Sequence, residues 1–194
     1  KSRDMLSKLY PDLDVSNDAL PFMGYKEAEF FGVPSRIFRI SFSGELAYEI
    51  NVKSDHGMFM WEKMMEVGKE FGNQPYGTEA LSTLRIEMGH VAGPELDGRT
   101  IPSDVSLNGL VSKKKDFIGK NSLGREAFNV ESRQKIVGLI PIDRKSSIPE
   151  GSHIVQDQNA KLPNPKLGHV SSSCWSVENN NPFSLAIMKD GKNM

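Results

Sequence analysis

The stretch Arg39–Val52, RISFSGELAYEINV, decides how this chain folds. It reads as parts of two strand runs interrupted at Gly44-Glu45. The first run spans Arg36 to Phe42. It sets Phe38, Ile40 and Phe42 on one side and Ile37, Arg39 and Ser41 on the other. The second run, Ala47 to Val52, sets Tyr48, Ile50 and Val52 on one face and Glu49 and Asn51 on the other. Both assignments follow from the alternation of side chains along a strand. The alternation also separates two carboxylates. Glu45 falls at the turn, and Glu49 sits inside a strand. If Glu49 is buried it must find donors, because an unpaired buried charge is costly. A planar ligand with adjacent N–H groups would satisfy both oxygens at once. Exposure on a polar sheet face is the other reading of the same residue.

On the N-terminal side, Pro21 to Phe31 reads as a strand ending near Gly32, with Val33-Pro34-Ser35 as the following turn. Arg3 to Tyr10 is an amphipathic helix with Met5, Leu6 and Leu9 on one face. A helix so close to the first residue implies that the chain begins inside a domain. On the C-terminal side, Ser54 and Asp55 are good helix caps. The helix after them carries Met58, Trp61, Met64, Met65 and Phe71 as a core stripe and stops at Gly72-Asn73. A second helix runs from Thr78 to Met88, with Leu81, Leu84 and Met88 as its stripe and Gly89 as its stop. Strands alternating with helices suggest an α/β layer arrangement for this half.

Gly93 to Ser106 is loop-like, and a short helix is expected near Ser122 to Phe128. The texture then changes. Lys135–Ile140, His153–Gln156, Gly168–Ser172 and Phe183–Met188 are short apolar runs with prolines and glycines between them. They read as a small all-β unit. The boundary falls in the polar stretch 129–134, so one domain is expected over 1–129 and a second over 130–194.

Several classes of function are disfavoured. A net charge of −1 provides no general attraction for nucleic acid or an anionic membrane. Lys113–Lys115 is a local exception that reads as a solvated loop. No apolar run is long enough to span a membrane. The single cysteine, Cys174, rules out an intramolecular disulfide and fits a reducing, cytoplasmic setting. His56, His90, His153 and His169 are scattered without metal-ligand spacing. No phosphate-binding glycine loop, dinucleotide fingerprint or nucleophile elbow occurs. Ser171, Ser172, Ser173 and Ser176 beside Cys174 read as a serine-rich turn at a strand end, with Trp175 as a packing lid. Arg85, near a helix C-terminus, is favourable with the helix dipole and reads as structural.

The segments SFSGELAYEINV, PYGTEALSTLRIEMGH, KKKDFIGKNSL, IVGLIPID and LGHVSSSCWS, in this order, resemble the glycine-cleavage T-protein (aminomethyltransferase) superfamily. Within it the likeness is to the C-terminal, folate-binding part of the sarcosine oxidase alpha subunit. The resemblance covers nearly the whole chain. It implies an α+β fold: a T-protein-like folate-binding domain, truncated at its N-terminus, followed by a small β-barrel domain.

The resemblance also implies tetrahydrofolate as cofactor, with flavin and NAD sites elsewhere in the parent complex. It implies a small methylated amine as substrate and other oxidase subunits as partners. Glu49 matches the glutamate that grips the pterin. Tyr48, Tyr76 and Trp175 are wall candidates, and Lys192 lies near the place of a folate-tail arginine. The family's catalytic aspartate lies upstream of Lys1, and further barrel strands lie beyond Met194. An open sheet edge is therefore expected, and with it pairing to another chain. Leu81 stands where T-proteins carry an arginine, which favours the oxidase-like branch. Two other readings remain open: an aminomethyltransferase or related folate-dependent demethylase, and a non-catalytic folate-binding or assembly module.

Overall fold

The structure is a computed structural model that describes residues 1–191. It holds mixed helix and sheet in two units, Lys1–Leu81 and Ser82–Met194.

In the first unit, helix α1 (Ser2–Leu9) precedes strands β1 (Tyr25–Phe30), β2 (Val33–Phe38) and β3 (Glu49–Asn51). The three strands form one antiparallel sheet in the order β1-β2-β3. The turn between β1 and β2 is Phe31-Gly32, beginning two positions earlier than the turn expected at Val33-Pro34-Ser35. Both residues have positive φ, 49° and 75°. This is the backbone that suits a two-residue hairpin, and it lets Val33–Ser35 pair as strand. Strand β2 stops at Phe38 and not at Phe42. Arg39 keeps hydrogen bonds to Met23 and Gly24, and then the chain leaves the sheet. Gly44 turns it at φ 86° before β3 begins.

Helix α2 (Gly57–Gly68) follows a short 3-10 turn, continues into another, and ends at Gly72 in the left-handed conformation. Leu6, Leu9, Tyr10, Val15, Leu20, Phe30, Ile37 and Met60 form the buried core, with Tyr48, Ile50 and Val52 packed against it. Burying one such large apolar side chain contributes about 1.5–3 kcal/mol. The core face of α2 differs from the expected stripe. Met60 is buried with Phe59, Met64 and Val67 beside it, whereas Met58 and Trp61 point outward at 68% and 50% exposure. Apolar residues occur all around this helix, so spacing alone does not select a face.

Helix α3 (Thr78–Glu87) carries the boundary between the units. In the second unit, α4 (Lys120–Leu123) is a single turn. Strands β4 (Lys135–Leu139), β5 (His153–Val155), β6 (Lys166–Ser176) and β7 (Asn181–Met188) follow. They form an antiparallel sheet in the order β4-β7-β6-β5, with a register shift between Val170 and Ser172. The strands expected from residue 135 onward are present, but the described strands do not close into a barrel. The serine-rich segment is not a turn. Ser171–Ser176 belongs to β6, and Trp175 pairs with Pro182 near its end. Every strand pair is antiparallel, which fits α+β and not parallel α/β layers.

Candidate functional site

Strand pairing places Glu49 in a defined row. Phe38 pairs with Tyr25 on one side and with Glu49 on the other. Directly paired residues share a sheet face, so these three side chains stand together. The Tyr25 and Phe38 rings stack, with centroids 5.5 Å apart and planes 25° apart. The next row on this face is Glu27–Arg36–Asn51. Arg36 Nε donates to Glu27 Oε1 at 3.3 Å. The face is the outward one: Ser35 and Ile37 turn into the unit, while Tyr25, Glu27, Arg36, Glu49 and Asn51 are exposed. A groove of about 420 Å³ lies at the Glu27–Arg36–Asn51 row; Ala28, Ser35, Val52 and Lys53 also line it, whereas Tyr25, Phe38 and Glu49 do not.

Glu49 is therefore exposed, in accord with the second of its two sequence readings. Among the described residues, no hydrogen bond or ion pair engages its carboxylate. Both oxygens are free to accept from a bound molecule, and the stacked aromatic pair lies in the same row. Arg36 and Lys53 provide positive charge beside the groove.

The other predicted site residues are dispersed. Tyr48 belongs to the opposite face, packed against the core, where its hydroxyl accepts from Arg3 Nε at 3.2 Å. Tyr76 is 62% exposed in the segment before α3. Trp175 belongs to the second unit and is 48% exposed. Lys192 lies outside the described residues.

The second unit holds a buried polar cluster that sequence reading missed. Arg85 Nη1 donates to Glu95 Oε2 at 2.9 Å, and Nη2 donates to Ser172 Oγ at 2.7 Å. Ser172 in turn donates to Glu95 Oε1 at 2.6 Å, closing a triangle. The Ala92 amide donates to Glu95 Oε2 at 2.9 Å. Burial by itself raises the Glu95 carboxyl. The hydrogen bonds from Ser172, Ser171 and the Ala92 amide, with the Arg85 charge, outweigh it and hold the group below the usual carboxylate range.

A neighbouring cluster is built on Asp104. It accepts from Arg133 Nε at 3.0 Å, Lys135 Nζ at 3.2 Å and the Ile101 amide at 3.1 Å. Arg133 also lies over the Phe128 ring at 5.5 Å. Burial raises Asp104 too, and these donors again bring it below its usual value. Both carboxylate oxygens of Glu95 and both terminal nitrogens of Arg85 have partners within the unit, which gives the first triangle a structural role. Cys174 has its thiol pushed up, first by burial and then by Glu87, with Arg85 opposing. Such a thiol is not prepared for nucleophilic attack. Among the described residues no His, Cys, Asp and Glu group could hold a metal ion. Nor is any described helix long and apolar enough to cross a membrane.

The model of the GCVT N-terminal domain matches residues 1–115, more than half of the chain. The chain belongs to the GCVT N-terminal domain family. This GCVT chain is 42% identical to the sarcosine oxidase subunit alpha of Corynebacterium sp. (strain P-1), over 99% of the chain and 20% of that subunit. It is 40% identical to the same subunit of Rhizobium meliloti (strain 1021), over 100% of the chain and again 20% of the relative. The aminomethyltransferase of Chloroherpeton thalassium (strain ATCC 35110 / GB-78) is 30% identical over 97% of the chain and 50% of that enzyme. The fold matches the glycine cleavage system aminomethyltransferase T of Bartonella henselae with a TM-score of 0.72 at 23% identity, over 90% of this chain and 46% of that one. The GCVT chain thus spans about a fifth of the length of the sarcosine oxidase subunits it matches.

Proposed function

We propose that this GCVT chain is the tetrahydrofolate-binding region of a sarcosine-oxidase-like alpha subunit. In this reading the parent enzyme oxidises a small methylated amine such as sarcosine, using flavin and NAD sites outside this chain. The one-carbon unit of the resulting imine passes to tetrahydrofolate, giving 5,10-methylenetetrahydrofolate. When bound, the folate serves as acceptor of that unit.

The observation that carries the reading is Glu49, an unengaged carboxylate in the same sheet row as a stacked aromatic pair. A pterin edge offers adjacent N–H groups, and a carboxylate can accept both. The groove beside it, with Arg36 and Lys53, suits the anionic tail of folate. The residues present therefore fit the cofactor chemically. Tyr76 is proposed as a further wall, while Tyr48 supports β3 from behind. We take the domain boundary at 129/130, with the β4–β7 sheet as part of a barrel. The open edges of that sheet, β4 and β5, are proposed to pair with another chain or subunit. The lone cysteine supports a cytoplasmic setting.

The identity of 42% to a sarcosine oxidase subunit, against 30% to an aminomethyltransferase, supports the oxidase branch. A T-protein-like aminomethyltransferase is the second reading, supported by the 30% identity to an aminomethyltransferase. Calorimetric titration with tetrahydrofolate tests the folate role. Binding that is lost in Glu49→Gln is the expected result, and no binding by the folded chain would reject it. Assay of the full-length enzyme with sarcosine separates the branches. Oxidation of sarcosine with capture of its methylene by folate supports the oxidase, and inertness towards sarcosine rejects it.

A further inference from the structure

We infer that Tyr25 and Phe38 form the stacking wall that holds the fused heterocyclic ring of the ligand beside Glu49. The inference rests on the folate reading and assigns two residues that the sequence resemblance does not. Three observations carry it. Tyr25, Phe38 and Glu49 occupy one cross-strand row, so the aromatic pair and the carboxylate rise from the same face of one sheet. The two rings are nearly parallel, with planes 25° apart and centroids 5.5 Å apart, and stack against each other. Tyr25 is nevertheless 60% exposed, and the core cluster does not include either ring.

An exposed aromatic ring is a platform on which a flat ligand can stack. A carboxylate in the same cross-strand row selects a ligand whose edge donates hydrogen bonds. A planar nitrogen heterocycle with an amino group and a ring N–H meets both demands. An aliphatic acid meets neither. Stacking would fix the plane of the ring, and Glu49 would fix its rotation within that plane. Two constraints of different kind thus define one pose, and orientation of the ring follows from the strand register.

The test uses this chain and the chemically stable 5-formyl derivative of tetrahydrofolate, with affinity read by calorimetry. Circular dichroism confirms that each variant is folded. Tyr25→Leu and Phe38→Leu keep apolar bulk and remove the π face, and each is expected to weaken binding on the order of tenfold. Tyr25→Phe keeps the ring and should bind within about twofold of the parent chain, which distinguishes stacking from a hydroxyl contact. Tyr25 is exposed, so its variants test the proposal even if Phe38→Leu fails to fold. Loss of binding in Glu49→Gln together with parental affinity in both leucine variants would overturn the wall and leave the folate reading intact. No binding by the folded parent chain would overturn both. Parental affinity combined with a change in oligomeric state of the leucine variants would assign this face to a protein interface and also overturn the wall.

Discussion

Glu95 and Ser172 stand 77 residues apart in sequence and share a 2.6 Å hydrogen bond in the second unit. Arg85 completes the contact with hydrogen bonds to both. The side chains of Arg85 and Glu95 are 6% and 0% exposed, so this ion pair is almost without solvent screening. It ties the end of α3 and the following loop to the middle of β6. Breaking it from one side leaves an uncompensated buried charge. Arg85→Leu or Glu95→Leu should each destabilise the chain by about 3–5 kcal/mol. The double variant Arg85→Leu/Glu95→Leu should recover part of that loss, because no lone charge remains. Urea unfolding of the three variants checks both statements.

Acid should weaken the second unit for a specific reason. Glu95 and Asp104 are both held below their usual carboxylate values in the folded chain. A group depressed by folding binds protons more readily when unfolded, so stability rises with pH across its range. Their contribution is complete at neutral pH. It begins to fade as the pH falls toward the unfolded values, about 3.9 for Asp and 4.3 for Glu, and it is lost below the folded values. Melting temperature measured between pH 7 and pH 3 should fall on acidification. The fall should be shallower in Glu95→Gln and Asp104→Asn, which start from a lower stability.

Glu49 should behave in the opposite way. It is exposed and carries no internal partner among the described residues, so Glu49→Gln should change stability by less than about 0.5 kcal/mol. The same substitution should weaken folate binding roughly ten- to a hundredfold, the effect of losing a charge-assisted pair of hydrogen bonds. Thermal melts and calorimetry on one preparation separate these effects. A large stability loss would make Glu49 a structural residue.

Two glycines should respond with opposite sign. At Gly168 in β6 a Cβ would overlap the Ile187 carbonyl oxygen and the Met188 Cα, both main-chain atoms of β7. Gly168→Ala should cost about 1–3 kcal/mol or more, because the pairing of β6 with β7 must shift. At Gly57, the first residue of α2, a Cβ meets open space and the backbone is already helical. Gly57→Ala should stabilise by about 0.4–1 kcal/mol. Unfolding midpoints of the two variants measure both changes.

Much of the fold was legible in the chain. The alternation at Tyr48–Val52 sorted core-facing Tyr48, Ile50 and Val52 from outward Glu49 and Asn51, and the structure keeps that division. The short apolar runs after residue 135 coincide with the strands of the second sheet. Both succeed because a two-residue period is a local property, set by backbone geometry and the cost of wetting apolar side chains. Local pattern reached its limit at α2, where apolar residues on several faces left Met60 indistinguishable from Met58 until Phe30, Ile37 and Leu6 packed against one of them. It did not connect Glu95 with Ser172, since a loop glutamate and one serine among several carry no mark of a partner in distant sequence. The sequence by itself determined that Glu49 shares a strand face with Asn51, opposite Tyr48, Ile50 and Val52, and which family the chain resembles. Only the tertiary structure decided that Tyr25 and Phe38 share its row and that Arg85 meets Glu95 in the dark of the second unit. Strand register and long-range pairing depend on which surfaces exclude water together, and no local window of sequence contains that information.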